Sequence, residues 1–209
     1  MKKNNGFTLV ELAIVLIIIG VILGAVLKGR DLIENAKARR LLNDIKGFVA
    51  YQYTFYDRYN RYAGDGNKDG KIDYENLNAK PSDFDNSPQN TFLTANTPDI
   101  DAPFSELEAS QLLPVSDHKQ IAKHIYNNIY YFSQVDGYNV FVIKQIPCYA
   151  AMMIDKDIDL VPDAKQGYIR ESVGAIDSLG AVGDQRWEDI CTTQNTLVDI
   201  VYFFDTRPN

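Results

Sequence analysis

From Phe7 to Leu27 only Thr8 and Glu11 are neither apolar nor glycine. At 1.5 Å per residue such a run makes a helix of about 30 Å, the thickness of a bilayer's hydrocarbon core. A carboxylate near its start is out of place. Insertion scales put a charge inside a membrane helix at about 2.5–3.5 kcal/mol, so Glu11 calls for a partner. Cutting the chain after Gly6 would create one. The new α-amine of Phe7 lies one helical turn before Glu11, and cation and carboxylate can meet within one chain or between neighbours in a bundle.

The stretch Gly6-Phe7-Thr8-Leu9-Val10-Glu11 follows the short basic leader Met1-Lys2-Lys3-Asn4-Asn5-Gly6. It resembles the class III signal of type IV prepilins and type II secretion pseudopilins. The resemblance implies that a prepilin peptidase cuts after Gly6 and methylates the amine of Phe7. It further implies that Glu11 registers one subunit against the next in a helical filament. The implied location is the inner membrane, as a single pass with a periplasmic head, and afterwards a filament, on the cell surface if it is a pilus. Many relatives carry a proline in the helix that follows, whereas this chain has none from Phe7 to Ala79.

The rest of the sequence narrows the function classes. A formal charge of −7 gives no basic footprint, which argues against a dedicated nucleic-acid site. Lys28-Gly29-Arg30-Asp31 offers no small-residue signal-peptidase site, so the apolar segment is expected to be retained. His118 and His124 lack zinc-site companions, and no nucleophile elbow, phosphate loop or His-Glu-x-x-His is present. We expect no enzyme. Cys148 and Cys191 read as a disulfide in an oxidising compartment, or else as two buried thiols.

Helical periodicity continues past the apolar run through Ala38, Leu41, Leu42, Ile45, Val49, Gln52, Tyr56 and Tyr59. One helix from about Thr8 to Tyr59 would be roughly 80 Å long. Its second half would lay its stripe on a globular domain. Residues 76–103 read as a long polar surface excursion, and Phe104 to Leu113 as a short helix burying Leu107, Leu112 and Leu113. Ile129–Phe132 and Tyr138–Ile143 form a hairpin about Asp136-Gly137. Pro147 opens a helix through Ile154. Gly167–Arg170 and Leu197–Phe204 complete the strands. The expected fold is α+β and pilin-like, a long N-terminal helix on a small antiparallel sheet. Its expected divisions are leader 1–6, membrane or filament-core half 7–27, amphipathic half 28–62, and head 63–209.

Two acidic stretches are candidate cation sites. In Asp65-Gly66-Asn67-Lys68-Asp69-Gly70-Lys71-Ile72-Asp73, side-chain oxygens fall at alternate positions. Gly70 stands at the sharp turn, Lys71 can offer its carbonyl, and Asp73 adds a further ligand or holds a ligating water. The twelfth position is Asn76 rather than a bidentate glutamate. The expectation is a weak calcium loop without an EF-hand around it, against the alternative of a polar turn. Asp155, Asp157, Asp159 and Asp163 form the second cluster, which a solvated acidic loop also explains.

The expected function is a structural subunit assembling into a type IV pilus-type filament with copies of itself or other pilin-like subunits. The alternatives are a pseudopilin of a type II secretion system and a membrane-anchored periplasmic binding module that never polymerises.

Overall fold

Proline is absent from the first eighty residues, so no proline interrupts a helix there. In a computed structural model, which describes residues 8–172, 182–183 and 185–208, helix α1 runs without a break from Leu9 to Tyr59. It ends where Asn60 turns left-handed, at φ 55°, a conformation that asparagine adopts more readily than most residues. The chain divides into two compact units, Met1–Lys37 and Ala38–Asn209. Within the first unit the side chains of Leu9 to Leu27 are all exposed.

Within the second unit, Ala38, Leu41, Leu42, Ile45, Phe48, Val49, Gln52 and Phe55 of α1 are buried. The expected stripe is followed as far as Gln52 and then turns. Phe55 goes inward, leaving Tyr56 and Tyr59 40% and 41% exposed. Their hydroxyls stay wet while a phenylalanine fills the core, as the chemistry of the two ring types favours. Gln52 is fully buried but satisfied. Its Nε2 donates to the carbonyl of Ala63 at 3.1 Å, and its Oε1 accepts from the Ala63 amide at 2.9 Å.

The sheet holds β1 (Tyr130–Val135), β2 (Tyr138–Pro147), β3 (Ile169–Ser172) and β4 (Leu197–Phe203) in the order β1-β2-β4-β3, every pair antiparallel. Asp136 and Gly137, at φ 46° and 80°, make the two-residue turn that matches the twist of the flanking strands. The register of β2 on β4 shifts between Ile143 and Ile146. The Asp199 carboxylate occupies this irregularity, accepting from the Gln145 amide at 2.7 Å and pairing with the Lys144 ammonium at 2.6 Å. Phe48 joins helix to sheet, its ring 5.0 Å from Tyr130 and 5.8 Å from Phe141 between centroids.

Among the described residues the second unit also holds four shorter α-helices, α2 (Ala102–Ala109), α3 (His118–Ile121), α4 (Cys148–Asp159) and α5 (Trp187–Ile190), and a 3-10 turn at Pro81–Asp83. Pro147 precedes α4, as expected. Several boundaries differ from those the sequence implies, and α4 runs past Ile154 to Asp159, taking in three of the four alternate acids. β1 extends to Val135, β2 to Pro147, α2 lies earlier than Phe104–Leu113, and β3 is displaced to Ile169–Ser172.

Candidate functional site

The start of α1 is built from two side chains. Glu11 Oε2 accepts from both the amide and the hydroxyl of Thr8, each at 2.8 Å, while Thr8 Oγ1 accepts from the Glu11 amide at 3.3 Å. This is a reciprocal capping box, which satisfies donors that every helix leaves open at its N-terminus. The sequence reading gave Glu11 to subunit assembly alone. The Thr-x-x-Glu spacing carried the capping signal as well. Gly6 and Phe7, the expected cleavage and methylation residues, lie outside the described residues.

The loop from Asp65 to Asp73 is ordered by its own carboxylates. Asp65 is fully buried, and its two oxygens accept from the amides of Asp69 at 3.1 Å and Gly70 at 3.0 Å. Burial pushes the Asp65 carboxyl up, with the amides of Gly70, Lys68 and Asp69 pulling it back. Asn67 Oδ1 also faces the Asp69 amide at 3.0 Å, and Lys68 and Gly70 turn left-handed, at φ 64° and 87°. Asp73 is used differently. Its Oδ2 accepts from Gly66 at 2.9 Å and Thr97 at 2.7 Å, tying the loop to the following excursion. Lys71 donates its amide to Asp69 Oδ1 at 2.8 Å. Among the described residues, no three His, Cys, Asp or Glu side chains converge closely enough to hold a metal ion by themselves.

The second acidic stretch separates into individual tasks. Asp157 pairs with Lys46 of α1. Asp159 accepts from the amides of Tyr168 at 2.9 Å and Ile169 at 2.8 Å, fixing the entry to β3. Asp163 accepts from the Lys165 amide at 3.0 Å. Asp155 is fully buried and accepts from the Trp187 indole at 2.6 Å. Burial first, and then the negative charge of Asp159, push its carboxyl up to about 7. Cys148 and Cys191 form the disulfide, linking the start of α4 to the end of α5.

One constellation was not anticipated. Helix α2 carries buried carboxylates at Glu106 and Glu108, and Asp101 is buried just before it. Glu106 is paired with Arg61 and accepts from the amides of Gly64 and Leu93, both at 2.8 Å. Glu108 accepts from Asn90 at 3.2 Å and Ser116 at 2.8 Å, and Asp101 from Asp85 at 2.9 Å. Between these anions lies His118, fully buried. Its Nδ1 is 2.6 Å from Asp101 Oδ1, and its Nε2 is 3.3 Å from Glu108 Oε2, near enough for an ion pair though misaligned for a hydrogen bond. Burial pulls the His118 pKa down, but the two carboxylates outweigh it and leave the imidazole above its ordinary value. The excursion that reads as a polar loop is thus pinned by carboxylate–amide bonds from one helix.

Compared with known families, residues 1–27 match the prokaryotic N-terminal methylation motif. No curated protein matches the chain. No solved structure matches it either. The match bears out a type IV pilin-like class III signal, and the long helix on a four-stranded antiparallel sheet has the pilin-like arrangement. Such a motif implies processing by a prepilin peptidase, pilin-type assembly and a structural role, and together with the apolar helix it suggests membrane anchoring.

Proposed function

We propose that the chain is a structural subunit of a type IV pilus-type filament, held in the inner membrane by the first half of α1 before assembly. One observation carries the reading. A helix long and apolar enough to cross a bilayer begins at a capped glutamate inside the methylation motif, and its apolar side chains are exposed from Leu9 to Leu27. Exposed apolar area favours burial at about 25 cal/mol per Å², so membrane and then neighbouring subunits are its natural surroundings. Glu11 would meet the methylated amine of Phe7 from another subunit once the leader is gone. Copies of this chain, or other pilin-like subunits, supply the bundle. A type II secretion pseudopilus would use the same segment, and the identity of the neighbouring genes separates the two.

The test is co-expression with a prepilin peptidase and intact-mass measurement. Wild type should lose Met1 to Gly6 and gain one methyl group. Gly6→Ala should remain full length. Efficient cleavage of that variant would remove the processing argument.

Calcium in the Asp65–Asp73 loop is a second proposal, favoured by the two left-handed turns and the buried Asp65 that gather the oxygens of Asp65, Asn67 and Asp69. Since Asp65, Asn67, Asp69 and Asp73 all accept backbone amides, the ion would share their oxygens and rely also on the Lys71 carbonyl and water, in keeping with a weak site.

A further inference from the structure

Among the described residues, the acidic second unit contains a basic recess. Lys165, Gln166, Arg170, Arg207 and Pro208 line a cavity of about 600 Å³ between the start of β3 and the chain's C-terminal segment. Arg170 is held rigidly there. It is only 7% exposed, its Nε donates to the Gly167 carbonyl at 3.2 Å, and its Nη2 donates to the Pro208 carbonyl at 2.7 Å. Its guanidinium lies 5.4 Å over the Phe203 ring. These contacts orient the group without neutralising it, since carbonyls and a ring carry no net charge.

Its surroundings make matters worse for the cation. Burial and then the like charge of Arg207 pull the Arg170 pKa down, against weaker help from Asp159 and Asp163. Those two carboxylates accept from the amides of Tyr168, Ile169 and Lys165 and keep their charge, and they line an adjoining recess with Gln166 and Arg207. Among the described residues no salt bridge reaches Lys165, Arg170 or Arg207. Two guanidinium groups and an ammonium line the cavity against two carboxylates beside it, a local excess of positive charge that an entering anion would offset. An arginine edge fixed in a plane suits the paired oxygens of a phosphate, and the lysine adds a mobile point charge.

We propose that this recess is an oxyanion site for phosphate, either free or as a phosphomonoester. Arg170 acts as the fixed fork, while Arg207 and Lys165 close from the rim. The cavity is larger than one phosphate ion, which leaves room for an ester substituent. The site stands on residues of the second unit alone and does not depend on filament assembly.

The experiment uses the full chain in detergent and titrates it with inorganic phosphate or glycerol phosphate at constant ionic strength, with chloride as control. Heat of binding and thermal unfolding are both read. Arg207→Ala and Lys165→Ala are the test variants, because both side chains are exposed and their loss leaves the core untouched. Each should weaken phosphate binding about tenfold, as loss of a charged hydrogen bond does, and the double variant should abolish it. Glycerol phosphate binding more tightly than inorganic phosphate would identify an esterified source, and the reverse order a free one; both support the site. A response no greater than that to chloride, or one unchanged in the double variant, would overturn it.

Discussion

At the scale of single residues, Glu11 has one job in the structure and would have a second in the proposed filament, and the two can be separated. As a cap it accepts two hydrogen bonds from Thr8. As a charge it would pair with the Phe7 amine of a neighbour. Glutamine keeps the capping geometry and removes the charge, whereas valine removes both. Glu11→Gln and Glu11→Val should both still insert in the membrane, and more favourably than wild type. Both should enter filaments poorly when expressed beside wild type, at about a tenth of the wild-type share or less, if about 1.4 kcal/mol per contact is lost. Recovery of Glu11→Gln at the wild-type level would reduce Glu11 to a cap. Quantitative mass spectrometry of sheared filaments reads the ratio.

At the scale of elements, the carboxylates around α2 make a pH prediction. His118 has a raised folded pKa, so its contribution is fully present below the unfolded value of 6.5 and is lost as pH climbs through the folded one. The groups facing it are Asp101 and Glu108, with Asp99 and Asp85 farther off. Above that range two buried anions face a neutral ring. Amide exchange at Asn90 and Ser116 should therefore accelerate as pH rises beyond the intrinsic trend. His118→Gln should remove this extra pH dependence and cost about 3–5 kcal/mol, the usual penalty for breaking a buried pair. An unchanged exchange profile in His118→Gln would show that the imidazole carries no charge there.

The calcium loop belongs to the same scale. Calcium at tenfold excess over Kd should add about 1.4 kcal/mol to the stability of the detergent-solubilised chain, with Kd roughly 10⁻⁴ to 10⁻³ M. Asn67→Ala and Asp69→Ala should abolish the shift in melting temperature, and magnesium should replace calcium poorly. An equal shift in both variants would place the ion elsewhere, and no shift in wild type would leave a turn closed by carboxylate–amide bonds.

These elements also show what was legible in the residues. Helix α1 and the β1–β2 hairpin could be read because their signals are local: an unbroken period of 3.6, and Asp136-Gly137 between two apolar runs. The hold on residues 76–118 could not. Leu107 marks the apolar side of α2, but nothing local announces that Glu106 and Glu108 face inward, since their partners at Gly64, Leu93 and Asn90 are distant in sequence and Ser116 lies beyond the helix. Asp155 is a similar case, reading as one of four alternate acids until Trp187 is brought to it by α5 and the disulfide. The disulfide closes a separation of 43 residues, worth roughly 3–4 kcal/mol on the chain-entropy account.

At the scale of the whole molecule, the proposed function would divide its labour between the two units. The first unit contributes apolar surface and a capping glutamate, and the second a core with its own disulfide and ion pairs. The central claim is that the first unit leaves the membrane by packing against other subunits. The most direct measurement is to shear filaments from cells that express the chain with a prepilin peptidase and assembly machinery, then determine the mass of the chain in the sheared and membrane fractions. The account predicts the chain in the sheared fraction, beginning at an N-methylated Phe7, with Gly6→Ala confined to the membrane at full length. A mature chain found wholly in the membrane fraction, while the same machinery assembles its other subunits, would contradict the claim.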